Sequence, residues 1–196
     1  MSDAETAAER PKECPRLVVV SGASGAGKTS VAQRLLTDER FGRAETATTR
    51  EPREGEQDEV DYHFLTAGEF HKRLIADDFL APAEVYDHWY GTPRENVEAI
   101  LGSGRHCILV IDVQGVEDLQ GSNVEALYVF VDAPSFEELQ QRLRGRGDED
   151  PDKISARLRA ARSELDKKDL FDRVLVNDDI DRAARELAGW LGLDLA

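Results

Sequence analysis

The chain has 196 residues, enough for one compact domain with a buried core and an inserted lobe, and too few for a second independent domain. Its formal charge of −15 opposes a broad nucleic-acid footprint, because a polyanion would be repelled; a small nucleotide held by a few arginines in one cleft stays compatible. Two cysteines without metal-ligand spacing, no basic apolar leader and no apolar run near the ~20 residues that cross a bilayer point to a cytoplasmic protein that engages neither nucleic acid nor membrane.

Residues 1 to about 15 hold acids, alanines and prolines without apolar periodicity, and are predicted to be a mobile tail. Arg16 to Val20 reads as a buried strand. Directly after it, Gly22, Ala23, Ser24, Gly25, Ala26, Gly27, Lys28 and Thr29 match the phosphate-binding pattern G-x-x-x-x-G-K-[ST]. The glycines permit backbone angles that turn successive N–H groups around a polyphosphate. Lys28 then sets a point charge against the β- and γ-phosphates, and the Thr29 hydroxyl is placed to ligate the accompanying magnesium ion. Val31, Ala32, Leu35 and Leu36 follow at helical spacing, which completes a strand, loop and helix.

From about Ala44 to Pro93 the rhythm breaks into short mixed segments rich in aromatics and polar residues, read as a small, partly β lobe inserted into the core. Three further apolar runs, Cys107 to Ile111, Leu127 to Val131 and Val174 to Val176, lack polar alternation, as strands covered on both faces require. Ser135 with Glu138 forms a capping box ahead of Phe136, Leu139 and Leu143. Ile154, Leu158, Ala161 and Leu165 make another stripe. Asp179 is placed to cap a last helix facing inward with Ile180, Ala183, Ala184, Leu187 and Leu191. The alternation predicts an open α/β sheet with ligands at the carboxyl ends of its strands. Between two helices, the irregular stretch from Arg144 to Pro151 is rich in Gly, Arg and acids, as befits a lid. Cys107, Trp89 and Trp190 read as core residues.

Several blocks in this order resemble guanylate kinase: the phosphate loop, Thr48 to Glu56, Asp61-Tyr62-His63-Phe64, Tyr90-Gly91-Thr92-Pro93, and Ile111 to Gly115. Arg142, Arg144 to Gly147, Arg157-Leu158 and Val176 to Asp179 extend the resemblance over about Arg16 to Leu191. It implies a P-loop NTPase-type three-layer α/β fold with a mostly parallel central sheet. The core would be residues 16–43 and 94–196, the acceptor-binding lobe about 44–93 and the lid about 144–156. It also implies transfer of a phosphoryl group from ATP, with Mg2+, to GMP, giving ADP and GDP, by a monomer or homodimer. Gly22 to Ser30 would bind ATP. An acceptor phosphate carries about two negative charges at neutral pH, which Arg50 and Arg53 can fork onto while Tyr62 and Tyr90 donate hydroxyls. Thr46, Thr92 and Asp112 are candidates for the rest of the GMP site. Lys28, Arg50 and the lid-side Arg142, Arg146 and Arg157 would stabilise the charge on the migrating group. Arg144, Arg159 and Arg162 match no functional arginine and read as surface charge paired with Asp148, Glu149 and Glu164.

The sequence departs from the family at the guanine pocket. Ala81 stands where a glutamate normally accepts hydrogen bonds from the base, Val110 where an acid is frequent, Asp87-His88 where Gly-Asn is usual and Glu59 where glycine is usual. Glu84 is the nearby acid that would compensate for Ala81. Beside a guanylate kinase, these residues leave two alternatives: a nucleoside monophosphate kinase of altered acceptor base, and a non-catalytic module gripping a phosphorylated or acidic peptide. The intact phosphate loop weighs against the second. Arg50 and Arg53 also have a simpler reading, a solvated turn held by Glu51, Glu54 and Glu56.

Overall fold

The computed structural model describes residues 14–53, 55–59, 62–85, 87–122, 124–145 and 151–196. Its centre is β1 (Leu17–Gly22), whose residues are all buried. Side chains alternate across a strand, so Val18 and Val20 enter one apolar cluster while Leu17 and Val19 enter another. Such two-sided burial requires a strand in mid-sheet. β1 pairs in parallel with β7 (His106–Val110) and β8 (Leu127–Asp132). β2 (Phe41–Arg43) and β9 (Arg173–Val176) close the order β2-β7-β1-β8-β9, every pairing parallel.

Helices cover both faces and make three layers. On one side lie α1 (Lys28–Leu35), α5 (Phe136–Arg144), α6 (Pro151–Leu165) and α7 (Ile180–Trp190), which contribute Val31, Leu35, Leu139, Leu143, Ala161 and Leu187. On the other lie α3 (Arg94–Gly102) and α4 (Val113–Gly121), through Val97, Ile100, Val116 and Leu119. Each fully buried Val or Leu contributes about 1.5–3 kcal/mol, so these two clusters carry most of the fold's stability. Asp179 caps α7 by accepting from the Arg182 amide, as its position predicted. Ser135 caps α5, but the expected capping box is only half made: Glu138 turns its carboxylate to Arg142, 3.1 Å away.

Residues 47–93 build a second, four-stranded sheet, β4-β3-β6-β5, from β3 (Ala47–Thr48), β4 (His63–Phe64), β5 (Phe79–Val85) and β6 (His88–Pro93). α2 (Ala67–Ile75) packs on it through Phe70, stacked on Phe79 at 4.3 Å and close to Trp89. Trp89 therefore fills this small core, and Trp190 packs against the main one. Glu59 and Asp87 take φ of 61° and 64°. That is the left-handed region that glycine occupies without strain, so the two positions keep a glycine-like backbone under larger side chains.

Two expectations need correction. β9 is not covered on both faces: Leu175 is buried in the cluster that α7 joins, whereas Val174 and Val176, which point to the opposite face, are 42% and 40% exposed. Ile180, expected to face inward, is 43% exposed at the first position of α7, and the buried face of that helix begins at Ala183. The short edge strand β2 was not expected at all; three residues are too few to show a period. Among the described residues no helix is long and apolar enough to cross a membrane.

Candidate active site

The phosphate loop links β1 to α1 at the carboxyl edge of the sheet. Gly22 allows the turn out of β1: a Cβ there would sit 2.1 Å from the Val131 carbonyl oxygen of the neighbouring strand. Gly27 sits at φ 92° as the N-cap of α1, with no side chain capping the helix and no acid in its first turn. The positive end of α1 is thus left for an anion. Among the described residues, no group accepts from the amides of Gly27, Thr29 or Ser30.

Side chains from elsewhere hold the loop. Asn177, which is buried, donates from Nδ2 to the Ala26 carbonyl at 2.8 Å. Arg142 on α5 reaches the Asn177 carbonyl at 3.0 Å and the Ala26 carbonyl at 3.5 Å. Glu164 on α6 accepts from the Ser24 amide at 3.0 Å. Lys28 folds its Nζ onto the carbonyls of Gly22 (2.6 Å) and Ala23 (3.2 Å).

In front of Lys28 opens a cleft of about 270 Å³. Thr46, Tyr62, Tyr90, Thr92 and Asp112 line it together with Lys28, so residues from both sheets and the phosphate loop face one space. The Thr46 and Thr92 hydroxyls are 3.5 Å apart. Asp112 caps α4 by accepting from the Gly115 amide at 2.8 Å, which fixes its carboxylate at the cleft. The remaining wall is apolar and includes Ala81, Ala83, Val110 and Ile111. Glu84 is exposed and does not line the cleft, so it does not replace the acid missing at Ala81. Ala81 itself takes φ 45°, beside an irregular register between β5 and β6.

Arg50 lies beside this space, with its guanidinium 5.4 Å from the Tyr62 ring centre and 5.8 Å from that of Phe64. Its Nη2 donates to both carboxylate oxygens of Glu56 at 2.9 Å. Partial burial opposes the charge on Arg50, but Glu56 and Tyr90 outweigh it and hold its pKa above the ordinary value. Glu56 is drawn below the usual carboxylate range, first by the Arg53 amide and then by Arg50. The Arg53 side chain is exposed and does not line the cleft. The turn reading was therefore half right: Glu56 does hold Arg50, while Glu54 lies outside the described residues.

Arg157 is half-buried on α6. Arg146, Asp148 and Glu149, with the rest of residues 146–150, lie outside the described residues, as does the tail up to residue 13; residues 151–156, expected to belong to the lid, instead form the first turns of α6. Arg144, Arg159 and Arg162 are exposed, as expected of surface charge; the guanidinium of Arg162 lies over the Phe136 ring at 4.8 Å, while Glu164 turns to the phosphate loop. Asn177 and Glu164 were missed as site residues, because each meets the loop from far along the chain and nothing local marks the contact; Glu56 was anticipated only as an acid of the turn.

The comparisons with known proteins agree with this geometry. The guanylate kinase family pattern matches residues 14–192. A guanylate kinase of Clostridium perfringens is 42% identical over 177 residues, which cover 89% of this chain and 82% of that protein. Guanylate kinase 1 of Oryza sativa is 43% identical over 182 residues, 90% of this chain but 48% of its own length, so the chain spans about half of that relative. The crystal structure of guanylate kinase from Anaplasma phagocytophilum superposes with a TM-score of 0.72 at 30% identity, covering 92% of this chain and 86% of the other. A chain matched over nearly its whole length by this family, and carrying its phosphate loop ahead of a shared cleft, belongs to the guanylate kinases.

Proposed function

We propose that this chain transfers the terminal phosphoryl group of ATP to GMP, giving ADP and GDP. The observation that carries this reading is the single cleft shared by Lys28 and by Thr46, Tyr62, Tyr90, Thr92 and Asp112. Donor and acceptor are both polyanions, so the protein's task is to hold them end to end against their repulsion.

The amides of the phosphate loop and the N-terminus of α1 receive the ATP phosphates. Lys28, which now rests on two loop carbonyls, swings to the phosphates, exchanging neutral acceptors for anionic ones. Thr46, Thr92 and Asp112 read the base of GMP. Arg50, Tyr62 and Tyr90 take its phosphate, with Arg53 joining from the exposed turn. Glu56 occupies the Arg50 fork in the structure, so the incoming phosphate shares or displaces that carboxylate. Arg142, Arg146 and Arg157 act on the migrating group from the lid side, and the lobe of about 44–93 closes on it from the other.

Among the described residues no cluster of three His, Cys, Asp or Glu side chains is arranged to hold a metal. One exposed hydroxyl, Thr29, stands at the loop. Such a donor set fits a magnesium ion that arrives on the nucleotide, with most of its oxygens supplied by phosphate and water. Bound there, Mg2+ would neutralise charge on the β- and γ-phosphates.

The apolar wall at Ala81 and Val110 favours a second reading, an acceptor site of broader base preference. Loss of one buried hydrogen-bonding partner costs about 1–3 kcal/mol, one to two powers of ten in discrimination. ADP release from MgATP, followed with GMP, dGMP, AMP, CMP and UMP in turn, tests both. GMP-dependent turnover that disappears in Lys28→Ala is expected; a folded protein idle with every acceptor overturns the kinase reading, and equal rates with AMP and GMP establish the broader one.

A further inference from the structure

We propose that Glu164 is a positioning residue for ATP: its carboxylate, held on α6, fixes the first half of the phosphate loop through the Ser24 amide. The inference rests on the kinase reading above and concerns the donor site only. Ser24 lies 140 positions from Glu164 in the chain, and the 3.0 Å hydrogen bond between them joins the loop to the helix that follows the lid.

The neighbourhood makes this a designed contact and not a stray one. Ala161, one turn before Glu164, is fully buried in the same apolar cluster as the loop residues Ala23 and Ala26. Beyond the end of α6, Lys168 donates to Asp132 at the end of β8 at 2.6 Å, which pins the helix against the sheet. Arg157 and Glu164, seven residues apart, share one flank of α6. The brace on a loop amide and a lid-side arginine are thus carried by one helix.

The bonds of the loop divide cleanly. The Ser24 amide is taken by Glu164, and the Ala26 amide by the Ala23 carbonyl at 3.1 Å. The Ala26 carbonyl is taken by Asn177. The amides of Gly27, Thr29 and Ser30 stay unengaged among the described residues. A carboxylate beside an anion cradle repels ATP, so its place there requires a compensating gain. The gain is preorganisation: two outside braces, one accepting and one donating, hold the loop in the shape that points its later amides at the ligand.

The test measures MgATP affinity by titration calorimetry without acceptor, alongside steady-state kinetics and thermal unfolding, for wild type, Glu164→Ala and Glu164→Gln. Glu164→Ala is expected to weaken ATP about tenfold, with KM for GMP unchanged. Glu164→Gln keeps an oxygen that accepts from Ser24, and is expected within about threefold of wild type. Tighter ATP binding in Glu164→Ala would make the carboxylate a competitor for the anion site and overturn the proposal. So would unchanged affinity, or KM for both nucleotides rising in step with a lowered Tm and no rescue by Gln. Because the calorimetry needs no acceptor, it judges this proposal even if GMP proves not to be the substrate.

Discussion

Gly27→Ala perturbs the phosphate loop where backbone conformation and side-chain contact coincide. Gly27 holds φ 92°, and a methyl group added there would lie 2.2 Å from Asn177 Nδ2. The backbone alone costs about 1–2 kcal/mol, the penalty of an L-residue in left-handed space. The clash also drives the Asn177 amide off the Ala26 carbonyl, and because Asn177 is only 3% exposed, water does not replace the lost bond. An unpaired buried group adds about 1–3 kcal/mol. Urea unfolding should therefore show a loss of about 2–5 kcal/mol, a large share of the ~5–15 kcal/mol typical of a domain, together with weakened ATP binding. Asn177→Ala by itself should cost about 1–3 kcal/mol. It also removes the clashing atom, so adding Gly27→Ala to it should cost only the backbone strain, about 1–2 kcal/mol. The double-mutant cycle is then coupled by about 1–3 kcal/mol. Strict additivity, or a Gly27→Ala protein as stable as wild type, refutes the reasoning.

Arg50→Lys removes the planar fork while keeping the charge; KM for GMP should rise about 10–100-fold with KM for ATP unchanged, and an unaffected GMP constant would remove Arg50 from the acceptor site. Burial pushes the Cys107 thiol up to about 12, so a thiol reagent at pH 8 should modify Cys14 alone in the native protein and both cysteines in urea; equal reaction rates would show that β7 is not sealed. Asp38 is held at about 2, below its ordinary 3.8, chiefly by its hydrogen bonds to Arg40. Its folded pKa is depressed, so its contribution to stability is complete above the unfolded value and is lost as pH falls toward 2. Arg40→Gln should return the carboxyl titration, followed by NMR, toward 3.8; a midpoint that stays low would assign the shift to another cause.

Local pattern determined much of this protein. A phosphate loop needs glycines, a lysine and a threonine in unbroken succession, so Gly22 to Thr29 could be read directly, and the two-sided burial of Leu17 to Val20 shows in its uninterrupted apolar residues. Asp179 capping α7 was legible for the same reason, because donor and acceptor lie within one turn. Contacts between distant segments were not legible. Glu164 meets Ser24 across 140 residues and Asn177 meets Ala26 across 151, and neither residue type advertises its partner. Coverage was hidden too: Val174 and Val176 have core-like chemistry, yet the layers leave their face of β9 open to water while burying Leu175 on the other. Hydrogen-bonding distance and burial are properties of the assembled layers, so the chain declared which groups would do chemistry, and the packing of its two sheets decided which of them stand together.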